Sequence, residues 1–374
     1  MSGVRHLYVH LPFCAHRCGY CDFVTVTGHE AQHAAYVDAL LAELELEGHV
    51  VAGELETIFL GGGTPTFTDS DELERLLRAL GGAPEVTVET NPETVTAELA
   101  PMLRSAGVTR VSLGAQSFDP ELLRVLERRA GPDDVRRAVY ALRDASFDNI
   151  SLDLIYGIPG QSAAALDRDL DAALALEPDH LSCYELEAKP GTRFTHTFGD
   201  ELRRQADAME GYFERVVTRL TAEGFRWYET ANFCRPGAPQ AGADFRSHHN
   251  LAYWLGHDYL GLGIGAVSTV GGNRWRNAPR LSRYVTALRD GKRPPREVER
   301  LDLETRRRER LMLGLRLDEP LPLAGLEEVL DAEAVGRLES ARLAVRSGSN
   351  GARALALTRR GRFLGDGVTA ALLA

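Results

Sequence analysis

Short apolar runs alternate with longer amphipathic stretches through the first two-thirds of the chain. The apolar runs at 7–11, 57–60, 86–89, 110–113, 149–155 and 180–186 predict strands. Between them, stretches such as 34–47, 70–80 and 133–144 carry apolar residues at the spacing of a helix. About six strand–helix units in succession predict parallel strands covered by helices. We therefore expect an α/β fold, as an open or closed barrel.

The pattern changes after residue 194. A long helix is predicted at 201–223, followed by a run rich in glycine and aromatic residues at 248–268. Pro294 and Pro295 indicate a linker, and the segment after them is rich in Arg, Glu and Leu. That segment predicts helices followed by a short strand at 354–358. We expect two domains, at 1–290 and 297–374, the second of them small and mostly helical.

Charge and composition exclude several classes of function. The net charge is −11, and because phosphate contacts need a basic surface, we expect no binding of nucleic acid. No apolar run approaches the roughly 18–20 residues that span a bilayer. Residues 1–8 also lack the apolar core of a signal peptide. We therefore expect a cytoplasmic protein.

Three of the five cysteines lie in one short segment, as Cys14, Cys18 and Cys21. An odd number of thiols in one loop is not a disulfide framework and indicates metal or redox chemistry. Three interpretations are open at this point. The thiols are unrelated, or they form a structural zinc site completed by His10 or His16. The third interpretation is an iron–sulfur cluster with one iron left open to a small chelating ligand.

The segment YVHLPF at 8–13 leads from the first predicted strand directly into the cysteine motif. A CxxxCxxC motif in this position resembles the signature of radical-SAM proteins. The resemblance implies a [4Fe–4S] cluster held by Cys14, Cys18 and Cys21. It also implies S-adenosylmethionine, chelated to the open iron through its amino and carboxylate groups. The fold that it implies is a partial (βα)6 TIM-like radical-SAM barrel.

The sequence FLGGGTP at 59–65 includes the end of the second predicted strand. Glycines at a strand end let the backbone approach a ligand closely, although three glycines also suit a tight turn. Downstream of a radical-SAM cysteine motif, this segment resembles the glycine-rich loop of that family. The resemblance implies that Gly62, Gly63 and Thr64 contact S-adenosylmethionine.

Polar residues lie at the ends of several other predicted strands, where α/β barrels carry their chemistry. Singly, each would more often be a solvated loop residue. Together they match positions that hold S-adenosylmethionine in the coproporphyrinogen oxidase HemN and its relatives, the HemN-like branch of the family. The resemblance assigns cofactor contacts to Tyr8, Tyr20, Glu89, Gln116, Arg128 and Asp153.

The run HNLAYW at 249–254 is dense in polar and aromatic residues. Its composition alone suits a core segment with buried aromatic side chains. Histidine is also an axial ligand of haem iron, and Tyr and Trp can pack on a porphyrin. The run resembles the HNxxYW motif of haem chaperones in the HemN-like branch. The resemblance implies haem contacts from His249, Asn250, Tyr253 and Trp254, with His248 and His257 as alternative iron ligands.

Two functions share this barrel and these cofactors. The first is a haem chaperone that binds haem and delivers it to apo-haem proteins, and the alternative is an oxygen-independent coproporphyrinogen III oxidase. A zinc-stabilised scaffold is a third hypothesis, from another class. The sequence does not decide whether the protein associates peripherally with a membrane, or whether it is a monomer or a homodimer.

Three features favour the chaperone over the oxidase. Cys21 is followed by Asp22 and Phe23, without the fourth cysteine of the oxidases. Cys14 lies near the start of the chain, where the oxidases carry an extension that helps to close the active site. The HNxxYW run is intact. We therefore expect no turnover of coproporphyrinogen.

Overall fold

A computed structural model describes residues 3–187, 189, 192–237, 244–348 and 353–373. Packing divides the chain into two units, Met1–Tyr212 with Asp258–Glu299, and Phe213–His257 with Arg300–Ala374. The units are discontinuous, because the second one includes 213–257. The chain passes from the first unit to the second for the last time between Glu299 and Arg300, close to the linker predicted at Pro294 and Pro295. The predicted domain limits, 1–290 and 297–374, stay a prediction.

The strands of the described residues follow in chain order. They are β1 (His6–Leu11), β2 (Thr57–Gly62), β3 (Glu85–Thr90), β4 (Arg110–Gln116), β5 (Ile150–Tyr156), β6 (His180–Glu185), β7 (Arg226–Trp227), β8 (Asn232–Cys234), β9 (Leu260–Leu262), β10 (Val267–Val270), β11 (Asn273–Asn277), β12 (Arg296–Arg300), β13 (Leu321–Pro322), β14 (Ala344–Ser347) and β15 (Ala354–Leu357).

The helices are numbered in the same way. They are α1 (His33–Glu47), α2 (Ser70–Leu80), α3 (Leu99–Ser105), α4 (Pro120–Val125), α5 (Pro132–Asp144), α6 (Ala163–Leu174), α7 (Arg193–Gln205), α8 (Met209–Ala222), α9 (His248–Trp254), α10 (Leu281–Arg289), α11 (Leu303–Gly314), α12 (Ala332–Ser340), α13 (Arg359–Phe363) and α14 (Gly365–Leu372). Among the described residues, no helix has both the length and the apolar character needed to cross a lipid bilayer.

The first unit is built on a parallel sheet. Strands β1 to β6 lie side by side in sequence order, and β9 pairs with the other side of β1. Every residue of β2 is buried, as expected for a parallel strand covered on both faces. Six parallel strands with connecting helices confirm the partial (βα)6 barrel. The carboxyl ends of these strands meet at one edge, so the residues that follow them come together.

Helix α2 shows how the sequence specifies these elements. The Asp69 carboxylate caps the helix by accepting hydrogen bonds from the backbone N–H groups of Asp71 and Glu72. The apolar residues at helical spacing are all buried, namely Leu73, Leu76, Leu77 and Leu80. Polar residues on the remaining face stay at the surface, so one periodic pattern defines both the helix and its buried side.

The second unit has its own apolar core. Strands β13, β15 and β14 form a small antiparallel sheet, on which helices from 303–372 pack. The predicted strand at 354–358 is β15, and the mostly helical character of this region is confirmed. The single helix predicted at 201–223 is wrong in its limits, since α7 and α8 are separate helices joined by a 3-10 turn at Ala206–Ala208.

Candidate functional site

The cysteine motif lies in the loop that leaves β1. The backbone closes this loop at its base, where Cys14 N donates to Val26 O at 3.0 Å and Val26 N donates to Pro12 O at 2.8 Å. Cys14 is buried, whereas Cys18 and Cys21 are partly exposed. The pKa of the Cys21 thiol is raised to about 11, mainly by burial and in smaller part by the neighbouring thiols. A metal centre that binds here must therefore displace protons from the sulfurs.

The histidines of the zinc hypothesis have other partners. His10 Nε2 donates to Val24 O at 2.7 Å, and His10 Nδ1 lies 3.0 Å from Tyr8 Oη. Burial lowers the pKa of His10 to about 4, so this ring is neutral. His16 Nε2 lies 3.7 Å from Glu127 Oε2. The hydrogen bond from His10 to Val24 O reaches the far end of the loop and helps to hold it in place.

The number of thiols bears on the choice between zinc and a cluster. A structural zinc site takes four protein ligands, so the three cysteines are one short, and both candidate histidines have the contacts given above. An iron–sulfur cluster with one open iron needs only three protein ligands, each on a different iron. The three-cysteine donor set therefore fits such a cluster.

The glycine loop at the end of β2 packs directly against the cysteine loop. Gly62 has a φ of +111°, and a Cβ there would come within 2.4 Å of the His10 ring. A Cβ on Gly63 would come within 2.6 Å of Pro12 O. Thr64 follows, and its Oγ1 lies 3.5 Å from Cys14 Sγ. The glycines are thus required for the close approach of the two loops, as well as suited to a ligand.

Glu89 lies beside the glycine loop. Its Oε2 accepts a hydrogen bond from Gly62 N at 3.1 Å. Burial raises the pKa of this carboxyl to about 7, and the nearby charge of Asp153 adds to the effect. A carboxylate in such surroundings is stabilised by an incoming cation, and the amino group of S-adenosylmethionine is one. Glu89 is therefore suited to that group.

Arg128 reaches the same edge of the sheet. Its Nη2 donates to Asn91 Oδ1 and to Gly114 O, both at 2.8 Å, and its Nη1 lies 4.0 Å from Cys18 Sγ. The Nε atom is buried and has no hydrogen-bond partner within the described chain. A guanidinium with an unused donor beside a cysteine loop can bind a carboxylate. Asn91 was missed in the sequence, although it lies two residues after Glu89.

Gln116 ends β4 in an irregular segment. Its φ is +65°, in the left-handed region that a non-glycine residue rarely adopts, and the pairing of β4 with β5 shifts register between Gly114 and Gln116. Backbone strain of this kind clusters at ligand sites. The side-chain amide of Gln116 lies over Gly114, where a Cβ would come within 2.8 Å of Gln116 Nε2.

The remaining predicted contacts lie in the same unit. Asp153 accepts hydrogen bonds from Ser112 Oγ, at 2.9 and 3.1 Å, and burial raises the pKa of its carboxyl. The Tyr8 ring stacks on Phe59 with 6.1 Å between ring centroids. Tyr20, in the cysteine loop, meets the edge of Phe194 at 6.4 Å. The structure therefore brings the predicted S-adenosylmethionine residues to the cysteine end of the sheet, and their binding roles stay a prediction.

The HNLAYW run forms most of α9, in the second unit. Ser247 caps this helix by accepting a hydrogen bond from Asn250 N at 3.4 Å. His249 is only 1% exposed, and its Nε2 lies 2.9 Å from Tyr253 Oη. The guanidinium of Arg316 covers the Trp254 ring at 4.5 Å. The predicted haem residues are thus together on one helix, with the predicted iron ligand turned inward.

Comparisons with known proteins agree with this geometry. The model of the Radical SAM superfamily matches residues 8–173. The solved structure of the coproporphyrinogen III oxidase HemN from Escherichia coli superimposes with a TM-score of 0.81, over 99% of this chain and 90% of that one, at 22% identity. At that identity the superposition shows a shared fold. Sheet, cysteine loop and family model together define a radical-SAM protein.

Similarity to individual proteins shows to which family of radical-SAM proteins this chain belongs. A protein of Mycobacterium tuberculosis (strain CDC 1551 / Oshkosh), named Heme chaperone HemW, is 38% identical over 98% of this chain and 94% of its own. The HemW of Bacillus subtilis is 33% identical over 99% of both chains. The HemW of Escherichia coli K12 is 38% identical over 71% of this chain and 70% of its own. The chain belongs to the HemW family of radical-SAM proteins.

Proposed function

We propose that this protein is a haem chaperone, which binds haem and transfers it to apo-haem proteins. The observation that carries the proposal is the end-to-end match to proteins named Heme chaperone HemW. The match spans both the cysteine motif and the HNLAYW helix. We expect the protein to act in the cytoplasm, where thiol ligands stay reduced.

The family implies a [4Fe–4S] cluster and S-adenosylmethionine, and the residues of the first unit suit both. Cys14, Cys18 and Cys21 would hold the cluster. When bound and reduced, such a cluster supplies the electron that cleaves the sulfonium of S-adenosylmethionine. Arg128 offers its unused Nε–H to the carboxylate of that ligand, and Glu89 offers a carboxylate to its amino group.

Haem binding at α9 requires a local rearrangement. His249 is buried and its Nε2 is engaged with Tyr253 Oη, so the ring must leave that contact to reach an iron. His248, on the same helix, is half exposed, and its Nε2 lies 3.4 Å from Asp244 Oδ2. We propose His249 as the iron ligand, as the motif implies, with His248 as the competing candidate.

The experiment is an anaerobic haem titration of the wild type and of two matched variants, His249→Leu and His248→Leu. Loss of one equivalent of haem, together with the axial-histidine absorption band, in His249→Leu alone supports the assignment. Tyr253→Phe should bind haem more tightly than the wild type, because it removes the partner that competes for Nε2. Full affinity in His249→Leu would contradict the ligand assignment.

A second assay separates the chaperone from the oxidase. The protein, loaded with cluster and S-adenosylmethionine, is incubated anaerobically with coproporphyrinogen III and a reductant, and the products are separated. Stoichiometric haem binding without turnover supports the chaperone. Multiple turnovers to protoporphyrinogen would overturn it, because a chaperone needs no oxidative decarboxylation.

A further inference from the structure

Two polar side chains, Asn91 and Thr64, link Arg128 to a cysteine of the motif. Arg128 Nη2 donates to Asn91 Oδ1 at 2.8 Å, and Asn91 Nδ2 donates to Thr64 Oγ1 at 2.9 Å. Thr64 Oγ1 in turn lies 3.5 Å from Cys14 Sγ. Thr64 is 3% exposed and Cys14 is 8% exposed, so water does not compete freely for these contacts. These contacts form the relay Arg128–Asn91–Thr64–Cys14.

The guanidinium of Arg128 determines which group donates in each hydrogen bond of this relay. A guanidinium has only donors, so it must face the oxygen of the Asn91 amide. The NH2 group of that amide must therefore face Thr64, whose oxygen accepts from it. Thr64 then has one proton left, and within the described part of the chain the neighbour that can accept it is the sulfur of Cys14. A thiolate that ligates iron has no proton to give, so the hydroxyl is the donor.

A donor aimed at a ligand sulfur affects the redox equilibrium of an iron–sulfur cluster. Reduction adds negative charge that spreads onto the sulfurs, so a hydrogen bond to sulfur stabilises the reduced form more than the oxidised form. Hydrogen bonds to the sulfurs are among the factors that set cluster potentials. The same relay includes Arg128, so one asparagine contacts both that guanidinium and the hydroxyl beside Cys14.

We propose that Asn91 is a positioning residue that directs the Thr64 hydroxyl at the Cys14 sulfur, and that this bond raises the reduction potential of the cluster. The inference rests on the proposed cluster and deepens that part of the function. The contact also explains why a buried hydroxyl directly follows the glycines.

The first test compares Thr64→Val with Thr64→Ser in cluster-loaded protein without S-adenosylmethionine. Valine keeps the shape and removes the donor, whereas serine keeps the donor. The comparison is made at the potential at which half of the wild-type clusters are reduced. There, we expect the ratio of reduced to oxidised cluster in Thr64→Val to be about tenfold lower. This corresponds to a reduction potential lower by about 59 mV for one electron. Thr64→Ser should stay near the wild type. The readout is a titration followed by electron paramagnetic resonance.

The second test uses Asn91→Asp, which preserves shape and leaves the cysteines untouched. A carboxylate accepts from both neighbours, so the Thr64 proton should turn from Cys14 to residue 91, and the potential should fall. The added charge is controlled by Asn273→Asp, at an exposed position of β11 in the same unit. If the effect passes through the hydroxyl, Asn91→Asp shifts the potential less in a Thr64→Val background than in the wild type.

Iron analysis distinguishes a failure of the proposed cluster from a failure of the proposed role of Asn91 and Thr64. A wild type that binds no iron would refute the cluster itself. Iron-loaded variants at Thr64 or Asn91 with the wild-type potential would overturn this inference alone. A Thr64→Val variant that retains iron decides by itself whether the hydroxyl affects the potential, and Asn91→Asp is compared with its counterpart in the Thr64→Val background. Equal shifts from Asn91→Asp in both backgrounds would show that charge acts directly and that Asn91 does not orient Thr64.

Discussion

The carboxyl of Glu43, in the middle of α1, is a buried acid whose charge should limit stability. It is 1% exposed and accepts hydrogen bonds from three donors, which are Tyr284 Oη at 2.6 Å, Asn277 Nδ2 at 2.7 Å and Gly263 N at 2.8 Å. Burial nevertheless raises its pKa from the ordinary 4.5 to about 7, and the charge of Glu47 adds to this. Glu43→Gln replaces this carboxyl by an amide of similar shape that does not titrate.

The pKa shift fixes both the sign and the size of the effect. The folded chain holds a proton on Glu43 that the unfolded chain releases, so the free energy of unfolding falls as pH rises from 4.5 to about 7. Below this window both states are protonated, and above it both are charged. Between pH 5 and pH 8 the loss is about 2.5 kcal/mol, at 1.36 kcal/mol per pKa unit. Glutamine does not titrate and lacks this term.

The assay is urea unfolding of cluster-loaded wild type and Glu43→Gln at pH 5 and pH 8. Glutamine places an NH2 group against one donor, so it should be destabilising by about 1–3 kcal/mol at pH 5. At pH 8 that difference should shrink or reverse by about 2.5 kcal/mol. Glu45→Gln, at an exposed position on the same helix, is the control. Parallel pH profiles for wild type and Glu43→Gln would refute the reasoning.

Three further predictions concern the candidate site. Cys18→Ala should abolish iron binding on reconstitution, whereas Cys234→Ala, at a buried position of the second unit, should retain it in the same iron assay; equal losses would refute the motif assignment. Arg193 donates a hydrogen bond to Glu127 Oε2 at 2.7 Å, beside the cysteine loop. Without this contact the loop should be held less firmly, so Arg193→Ala should lose iron to a chelator several-fold faster than the wild type. Arg193→Lys should partly restore iron retention. S-adenosylmethionine affinity should weaken roughly tenfold per unit as pH falls below the Glu89 pKa of about 7, and calorimetry should find this dependence absent in Glu89→Gln.

The sequence was sufficient for the barrel because two local signals agreed. Apolar runs such as 57–60 and 110–113 ended in glycine or polar residues, and the intervening stretches had helical spacing. Those strands are β2 and β4, within two or three residues of the predicted limits. The short strands β7 and β8 were not predicted, since runs of two or three residues carry no measurable period. The break between α7 and α8 was missed because no Gly or Pro marks it.

The candidate site was predictable only where a motif carried it. Asn91 has partners 27 and 37 residues away, at Thr64 and Arg128, so nothing local indicates its role. Glu43 stands near Glu45 and Glu47 on a helix whose acids look like a solvated face. Its burial depends on elements that follow more than 200 residues later, at Gly263 and beyond. Tertiary packing decides such positions, and a single sequence does not show it.

Glu43 and Glu89 show what distinguishes a structural buried acid from a ligand-binding one. Both carboxyls have a pKa near 7, with burial as the main cause, so the shift alone does not identify a functional residue. Glu43 accepts from three donors, which occupy most of the four or so acceptor sites of a carboxylate. Glu89 has one hydrogen bond within the described chain, from Gly62 N, and lies in the same unit as Arg128 with its unused Nε–H. Glu89 thus offers an acceptor and Arg128 offers a donor at the cysteine end of the sheet. A zwitterionic amino-acid group would bind both, through its ammonium and its carboxylate.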